Sequence, residues 1–324
     1  YHSSKSNLVM GYIPGPATEE EWAATYPLEK EALDYFIHNA GSPNGVIDGG
    51  LAIFASGNEY AAQSSFPAAY SKCISVAALA ADFTPATYTN YGAEVALSAP
   101  GGDLEYYGTP GEADEAYDEQ GVLREQGAIF STLVVNGVPG YGYYEGTSMA
   151  CPHVSGVAAL GLAYAKQLKR HFTWEEFRDL MVSTGEDIDS YFVGDKLIHW
   201  NHTSPGATPT KIALGGYKGK MGRKVDAGAL LKAIDGSGRD MRLPNIYIAP
   251  ESTYTLELDD YFVERPTFAE VGNTAVATAT LQGTTLTIKA LSEGNTTLTI
   301  TLEGGKSHTS NIIVRRGAND NGIL

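Results

Sequence analysis

The chain has 324 residues, 43% of them hydrophobic, with a formal net charge of −16 and an isoelectric point near 4.8. That length allows two domains with real cores, and the acidity disfavours nucleic-acid partners, because phosphate binding needs the Lys and Arg clusters that this sequence lacks. No apolar run approaches the ~18 residues of a membrane span, and the two cysteines, Cys73 and Cys151, cannot build a disulfide framework. Each lies in an apolar stretch, so two buried free thiols are expected.

The chain opens on Tyr1 with no signal peptide before it, which reads as a processed chain or a fragment. Residues 1–27, with Pro14, Gly15, Pro16 and the acidic run Glu19-Glu20-Glu21, read as mostly loop. From Leu28 to Ala40, good helix formers place apolar residues on one face, and Gly41 closes the helix; His38 reads as a partly exposed helical residue. Asp48, in Val-Ile-Asp-Gly-Gly, reads as a turn residue. Leu51 to Ala55 is a short apolar run bounded by glycines, the pattern of a buried parallel strand. Gly57-Asn58 follows its carboxyl end. Taken alone the pair is a turn signal, yet strand carboxyl ends carry the ligand sites of open α/β sheets.

Residues 103–128 carry Asp103, Glu105, Glu112, Asp114, Glu115, Asp118 and Glu119. Clustered carboxylates make calcium conceivable, but no ligand-loop spacing appears, and a solvated surface insertion is the simpler reading. Gly146 then introduces Thr147, Ser148 and a small-residue run, which reads as a loop feeding a buried helix over roughly 147–168. Either hydroxyl could be an N-cap. Ser148 at such a terminus would also have unpaired N–H groups that favour a developing oxyanion. FTWEEFRDLMVST predicts an amphipathic helix with Thr173 and Glu176 as a capping box. From about Pro244, runs such as TYTLEL, TTLTIKAL and NTTLTITL alternate Thr with Leu or Ile, the pattern of an antiparallel β-sandwich.

Gly-Thr-Ser-Met-Ala-x-Pro-His-Val-x-Gly, from Gly146 to Gly156, resembles the nucleophile segment of the subtilisin-like serine proteases (subtilases, peptidase family S8). LAIFASGNE, from Leu51, resembles the segment of that family in which an asparagine amide donates to the oxyanion. The resemblance covers about residues 28–236, with Gly222 to Ile234 resembling the last helix of the catalytic domain, and implies Ser148 as nucleophile, with Asn58 and the Ser148 N–H forming the oxyanion hole. It also implies Ala55, Ser56 and Gly57 as one wall of the substrate pocket, beside Thr147, and protein or peptide substrates. The implied fold is α/β, a partial subtilisin-like three-layer sandwich with a parallel sheet, followed by a C-terminal β-sandwich that resembles bacterial Ig-like domains. The expected domains are 1–238 and 239–324. An exported bacterial protein, extracellular, at the cell surface or periplasmic, fits that family and the acidity.

The family's Asp-Ser/Thr-Gly and His-Gly-Thr-His segments have no counterpart here. His153 lies five residues along the helix from Ser148, about 7.5 Å further along the axis and rotated by about 140°, too far for a direct contact. His2, His38, His171, His199, His202 and His308 have no neighbouring motif. The expectation is the second half of a catalytic domain, inactive alone, whose missing N-terminal segment would be supplied by a longer chain or in trans. No cofactor is expected. A non-catalytic adhesion or binding protein on a decayed scaffold is the alternative. An esterase of the Gly-x-Ser-x-Gly type is disfavoured by Ala150 in the last position.

Overall fold

The computed structural model describes residues 15–41, 45–103, 106–107, 127–198, 210–240 and 243–316. The first helix, α1 (Glu19–Thr25), corrects the expected loop. The Thr18 side chain accepts from the Glu21 N–H while the Glu21 carboxylate accepts the Ala17 N–H. Glu19-Glu20-Glu21 is therefore a first helical turn, where carboxylates offset the unpaired N–H groups and the dipole. Next come α2 (Pro27–Asn39), β1 (Ile47–Asp48), β2 (Ile53–Ala55), β3 (Ile74–Leu79), β4 (Val95–Pro100) and β5 (Tyr106–Tyr107). A hairpin of β6 (Ile129–Val135) and β7 (Val138–Tyr144) leads into α3 (Thr147–Gln167), β8 (Arg170–Thr173), α4 (Trp174–Thr184), β9 (Asp195–Ile198) and β10 (Thr210–Ala213). Then follow β11 (Arg223–Lys224), α5 (Ala227–Asp235), β12 (Arg239–Asp240), β13 (Ile246–Ile248), β14 (Thr253–Glu257), β15 (Pro266–Val271), β16 (Ala277–Gln282), β17 (Thr285–Ala290), β18 (Gly294–Leu302) and β19 (Ser307–Val314). The helix expected from Gly222 starts five residues later, because Arg223 and Lys224 pair with β4 as a strand.

Two units emerge. The first comprises residues 1–38, 51–160 and 178–230. Its centre is a parallel sheet in the order β11-β4-β3-β2, with every residue of β3 buried. β2 is the edge strand of that sheet among the described residues. Gly222 enters β11 at φ +61°, and any Cβ there would meet the Ala96 carbonyl at 2.5 Å, which only glycine avoids. Ala77, Leu79, Val95, Phe192, Tyr217 and Met221 share one core against this sheet. The start of α4 lies in the second unit, and there Thr173 and Glu176 form the expected reciprocal cap. Lys196 and Asp103, 3% and 1% exposed, pair at 2.7 Å, and the Lys196 ammonium also donates to Thr84 Oγ1 and the Pro85 carbonyl. With those partners met, the burial cost of the two charges is offset. Cys73 is buried and Cys151 half-buried, both free, and burial pushes the Cys73 thiol up to about 12.

The second unit comprises residues 39–50, 161–177 and 231–324. Asp48 lies on β1, which pairs parallel to β8, and not in the expected turn. Its carboxylate meets His171 Nε2 at 3.0 Å while His171 Nδ1 faces the Gly45 carbonyl, so this histidine is occupied within its own unit. Further along the chain, a sheet in the order β13-β19-β18-β15 and a sheet in the order β14-β17-β16 enclose one core that includes Ile246, Leu256, Leu286, Ile288, Leu298, Ile300 and Ile312. The Thr/Leu alternation explains it: in β18 the apolar positions Leu298, Ile300 and Leu302 are buried. One strand departs from an all-antiparallel pattern, because β13 runs parallel to β19.

Candidate active site

β2 ends at Ala55, and its carboxyl end feeds a loop whose backbone is bound to one side chain. Asn90 is fully buried, and all of its amide capacity points at this loop. Its Oδ1 accepts from Glu59 N at 2.9 Å and Ala61 N at 3.0 Å; its Nδ2 donates to the Ser56 carbonyl at 3.2 Å and to Glu59 Oε2 at 2.7 Å. Backbone bonds from Asn90 N to the Gly57 carbonyl and from Tyr60 N to the Tyr88 carbonyl, both 2.9 Å, close the frame. Gly57 needs φ +114°, and a Cβ there would fall 2.3 Å from Asn90 Nδ2. The Ser56 hydroxyl is spent on the Asn90 carbonyl, its N–H on the Val76 carbonyl, and its own carbonyl accepts from Asn90 Nδ2 and the Ser65 N–H, so Ser56 belongs to the frame.

The serine segment meets this loop. Gly146, at φ +146°, donates its N–H to the Gly101 carbonyl at 2.9 Å, and Tyr88 donates to the Gly101 and Gly102 carbonyls. Thr147 is fully buried and donates both its backbone N–H and its hydroxyl to Asn58 Oδ1, each at 2.9 Å. Two donors hold the oxygen of the Asn58 amide on the Thr147 side, which turns its NH₂ the other way; among the described residues neither that NH₂ nor the Ser148 N–H has a hydrogen-bond acceptor. Ser148 is exposed in the first turn of α3. Pro152, four residues on, has no N–H to give the Ser148 carbonyl, so the helix is also open at that acceptor. The arrangement sets an exposed serine at a helix terminus, one residue from the threonine that holds Asn58, with unpaired N–H donors of the kind a developing oxyanion needs.

The residues singled out from sequence therefore converge in part. Asn58, Thr147 and Ser148 come together, with Ala55 and Gly57 on the loop that carries Asn58. His153 folds its Nδ1 onto the Met149 carbonyl at 2.8 Å, a contact within its own helix. His38 on α2 lies 3.0 Å from Lys72 Nζ, and the His308 ring packs on Phe262 at 4.6 Å. His2, His199 and His202 fall outside the described residues. Of the acidic segment, Asp103 is engaged by Lys196 and by Thr87, whereas Glu105, Glu112, Asp114, Glu115, Asp118 and Glu119 lie outside the described residues. Among the described residues no group of three or more His, Cys, Asp or Glu could hold a metal ion.

Sequence reasoning missed two parts. Asn90 was hidden in Tyr-Thr-Asn-Tyr-Gly, where an asparagine beside a glycine reads as one more turn residue. The β6–β7 hairpin had a readable signal: Asn136 and Gly137, at φ +52° and +80°, form the two-residue turn that Asn-Gly favours. Its Phe130 and Tyr141 stack at 5.5 Å although 57% and 72% exposed.

Known proteins resemble this chain over part of its length. Halolysin of Haloferax mediterranei is 39% identical over 114 residues, which is 35% of this chain and 17% of that protein. The extracellular basic protease of Dichelobacter nodosus is 34% identical over 137 residues, 42% of this chain and 19% of that one. Subtilisin E of Bacillus subtilis is 30% identical over 199 residues, 55% and 42% of the two chains. The solved structure of a protease from Pseudoalteromonas arctica overlaps with a TM-score of 0.37 at 26% identity, covering 57% of this chain and 42% of that one. The chain spans less than half the length of these relatives. Residues 17–217 match the family described as Peptidase_S8, Subtilase family, and the chain belongs to that family.

Proposed function

We propose that this chain carries the nucleophile half of a serine endopeptidase. Ser148 attacks the scissile carbonyl to give an acyl-enzyme that water releases, and the Ser148 N–H and the Asn58 NH₂ receive the oxyanion. The observation that carries the reading is the double hydrogen bond from Thr147 to Asn58 Oδ1, which orients the amide as a donor beside the serine. Ala55 and Gly57 form one wall of the site for the residue before the scissile bond. The substrates are proteins or peptides.

Serine needs a base within hydrogen-bond reach and a carboxylate to orient it. Both come from an upstream Asp- and His-bearing segment, joined in a longer chain or added in trans, that pairs with the outer edge of β2. Residues 1–238 then belong to the catalytic domain and 239–324 form an Ig-like β-sandwich acting as a spacer. The enzyme is exported: among the described residues no helix is long and apolar enough to cross a membrane, and one relative is named an extracellular protease.

The test is active-site labelling of the longest form isolated from the source. A fluorophosphonate probe should attach to Ser148, found by peptide mapping, and Ser148→Ala should abolish it. If a form containing the Asp and His segments stays unlabelled, the enzyme reading fails and the non-catalytic binding role takes its place.

A further inference from the structure

Within the first unit lies a cavity of about 510 Å³ lined by Tyr60, Tyr91, Tyr217, Lys211, Ile212 and Gly216. Its size falls in the range of small-molecule sites. Three tyrosine rings build it. Tyr60 and Tyr91 stand 6.1 Å apart at 54°, and Tyr91 and Tyr217 stand 4.6 Å apart at 55°. Tyr217 is buried, and burial, aided by a hydrogen bond with Tyr60, raises its pKa, so the floor of the cavity carries neutral hydroxyl. Tyr60 holds its ring there at φ +55°, a left-handed conformation that costs a bulky residue energy, fixed by the bond to the Tyr88 carbonyl.

Among the described residues, the one charged side chain that lines the cavity is a lysine. Lys211 is exposed on β10 and has no ion pair among the described residues, and Lys220 Nζ sits 5.9 Å from the centre of the Tyr91 ring. Electron-rich rings alone would suit a cationic guest, but two ammonium groups beside them repel one. A plain hydrocarbon would stack yet leave the lysine unanswered. An aromatic group bearing a carboxylate satisfies both features.

We infer that this cavity is a binding site for an aromatic monocarboxylate, with the ring among Tyr60, Tyr91 and Tyr217 and the carboxylate on Lys211 Nζ. The same chemistry is presented by a free arylalkanoic acid and by the C-terminal phenylalanine or tyrosine of a peptide. Neither needs Ser148 to be a nucleophile, so the site is tested without catalysis.

The experiment is titration calorimetry on the whole chain with 3-phenylpropanoate, with the peptide Ala-Ala-Ala-Phe as free acid, and with the same peptide as its C-terminal amide. At least one acid is expected to bind saturably, the amide roughly tenfold more weakly than its acid, and Lys211→Gln to weaken the acid by roughly tenfold while leaving the amide unchanged. Lys211 is exposed, so the variant should fold, and an unchanged melting curve confirms it. A peptide acid that binds about tenfold tighter than phenylpropanoate assigns the site to chain termini, and equal affinity assigns it to free acids. The inference is overturned if neither acid saturates by concentrations on the order of 10 mM, or if Lys211→Gln binds the acids as the unaltered chain does.

Discussion

Thr147 donates twice to one oxygen of Asn58, through its backbone N–H and through its hydroxyl. The pair separates what the asparagine does for structure from what it would do for chemistry: the oxygen holds the serine segment, and the nitrogen is the donor that the proposed function assigns to the oxyanion. Asn58→Asp keeps the acceptor, and the helix N-terminus favours its charge, but the donor is gone. The expected result is a melting temperature within a few degrees of the unaltered chain, together with a loss of about 3–4 kcal/mol of transition-state stabilisation in a form that contains the Asp and His segments. Unchanged kcat/KM in Asn58→Asp would remove Asn58 from the oxyanion hole.

Asn90 should matter for stability more than any other polar residue of this loop. Asn90→Leu leaves the Glu59 and Ala61 N–H groups without their acceptor, while the Ser56 carbonyl loses one of two donors and keeps the Ser65 N–H. Each orphaned N–H costs about 1–3 kcal/mol, so a total of about 2 kcal/mol or more is expected, read from urea unfolding. Protection of the Glu59 and Ala61 amides from hydrogen exchange should fall with it. A variant as stable as the parent would mean the loop is held from elsewhere.

What the sequence could show divides along the same line. Ser148 and Asn58 were legible through the resemblance of their runs to subtilase segments, since taken alone Gly-Thr-Ser reads as a helix cap and Gly-Asn as a turn. The reciprocal cap of Thr173 and Glu176 is equally local and appears as written. Asn90 was not legible, since its four bonds reach back to residues 56–61, and nothing in its neighbours announces a partner more than twenty-five residues away. Likewise, Asp48 and His171 looked unrelated until parallel pairing of β1 with β8 set them face to face. The acidic turn Glu19-Glu20-Glu21 was misread for a different reason: the cap at Thr18 outweighed the turn-rich sequence around it.

Acid should weaken the first unit through Asp34. Partial burial alone would raise its pKa, but hydrogen bonds from Lys30 at 2.7 Å, Lys72 at 2.8 Å and the Tyr70 hydroxyl at 2.5 Å outweigh burial and hold the carboxyl well below the usual range. A folded-state pKa below the unfolded value of 3.8 gives stabilisation that is complete above about pH 5 and lost as pH falls below 4. Because the group is partly exposed, the size is on the order of 1 kcal/mol. The comparison is Asp34→Asn against the parent in urea between pH 7 and pH 2: the variant should be less stable at neutral pH, and the gap should close in acid. A gap constant across that range would show that Asp34 contributes by packing and not by charge. Lys30 and Lys72, raised by the same contacts, give the opposite sign, with stabilisation lost only as pH climbs past 10.5.

Oxidation gives a last test of how open the serine segment is. Met149 is half-buried next to Ser148, whereas Met181 and Met221 are 1% and 0% exposed. A thioether reacts with peroxide in proportion to its access, and the sulfoxide replaces an apolar neighbour of Ser148 with a polar one. Under mild peroxide, peptide mass mapping should therefore find Met149 gaining one oxygen on the order of tenfold faster than Met181 or Met221, and unfolding in urea should erase the difference. In a catalytically complete form the same treatment should lower activity, and Met149→Ala should protect against that loss. Equal oxidation of the three methionines in the folded chain would mean that the start of α3 is no more accessible than the core, which would also count against substrate reaching Ser148.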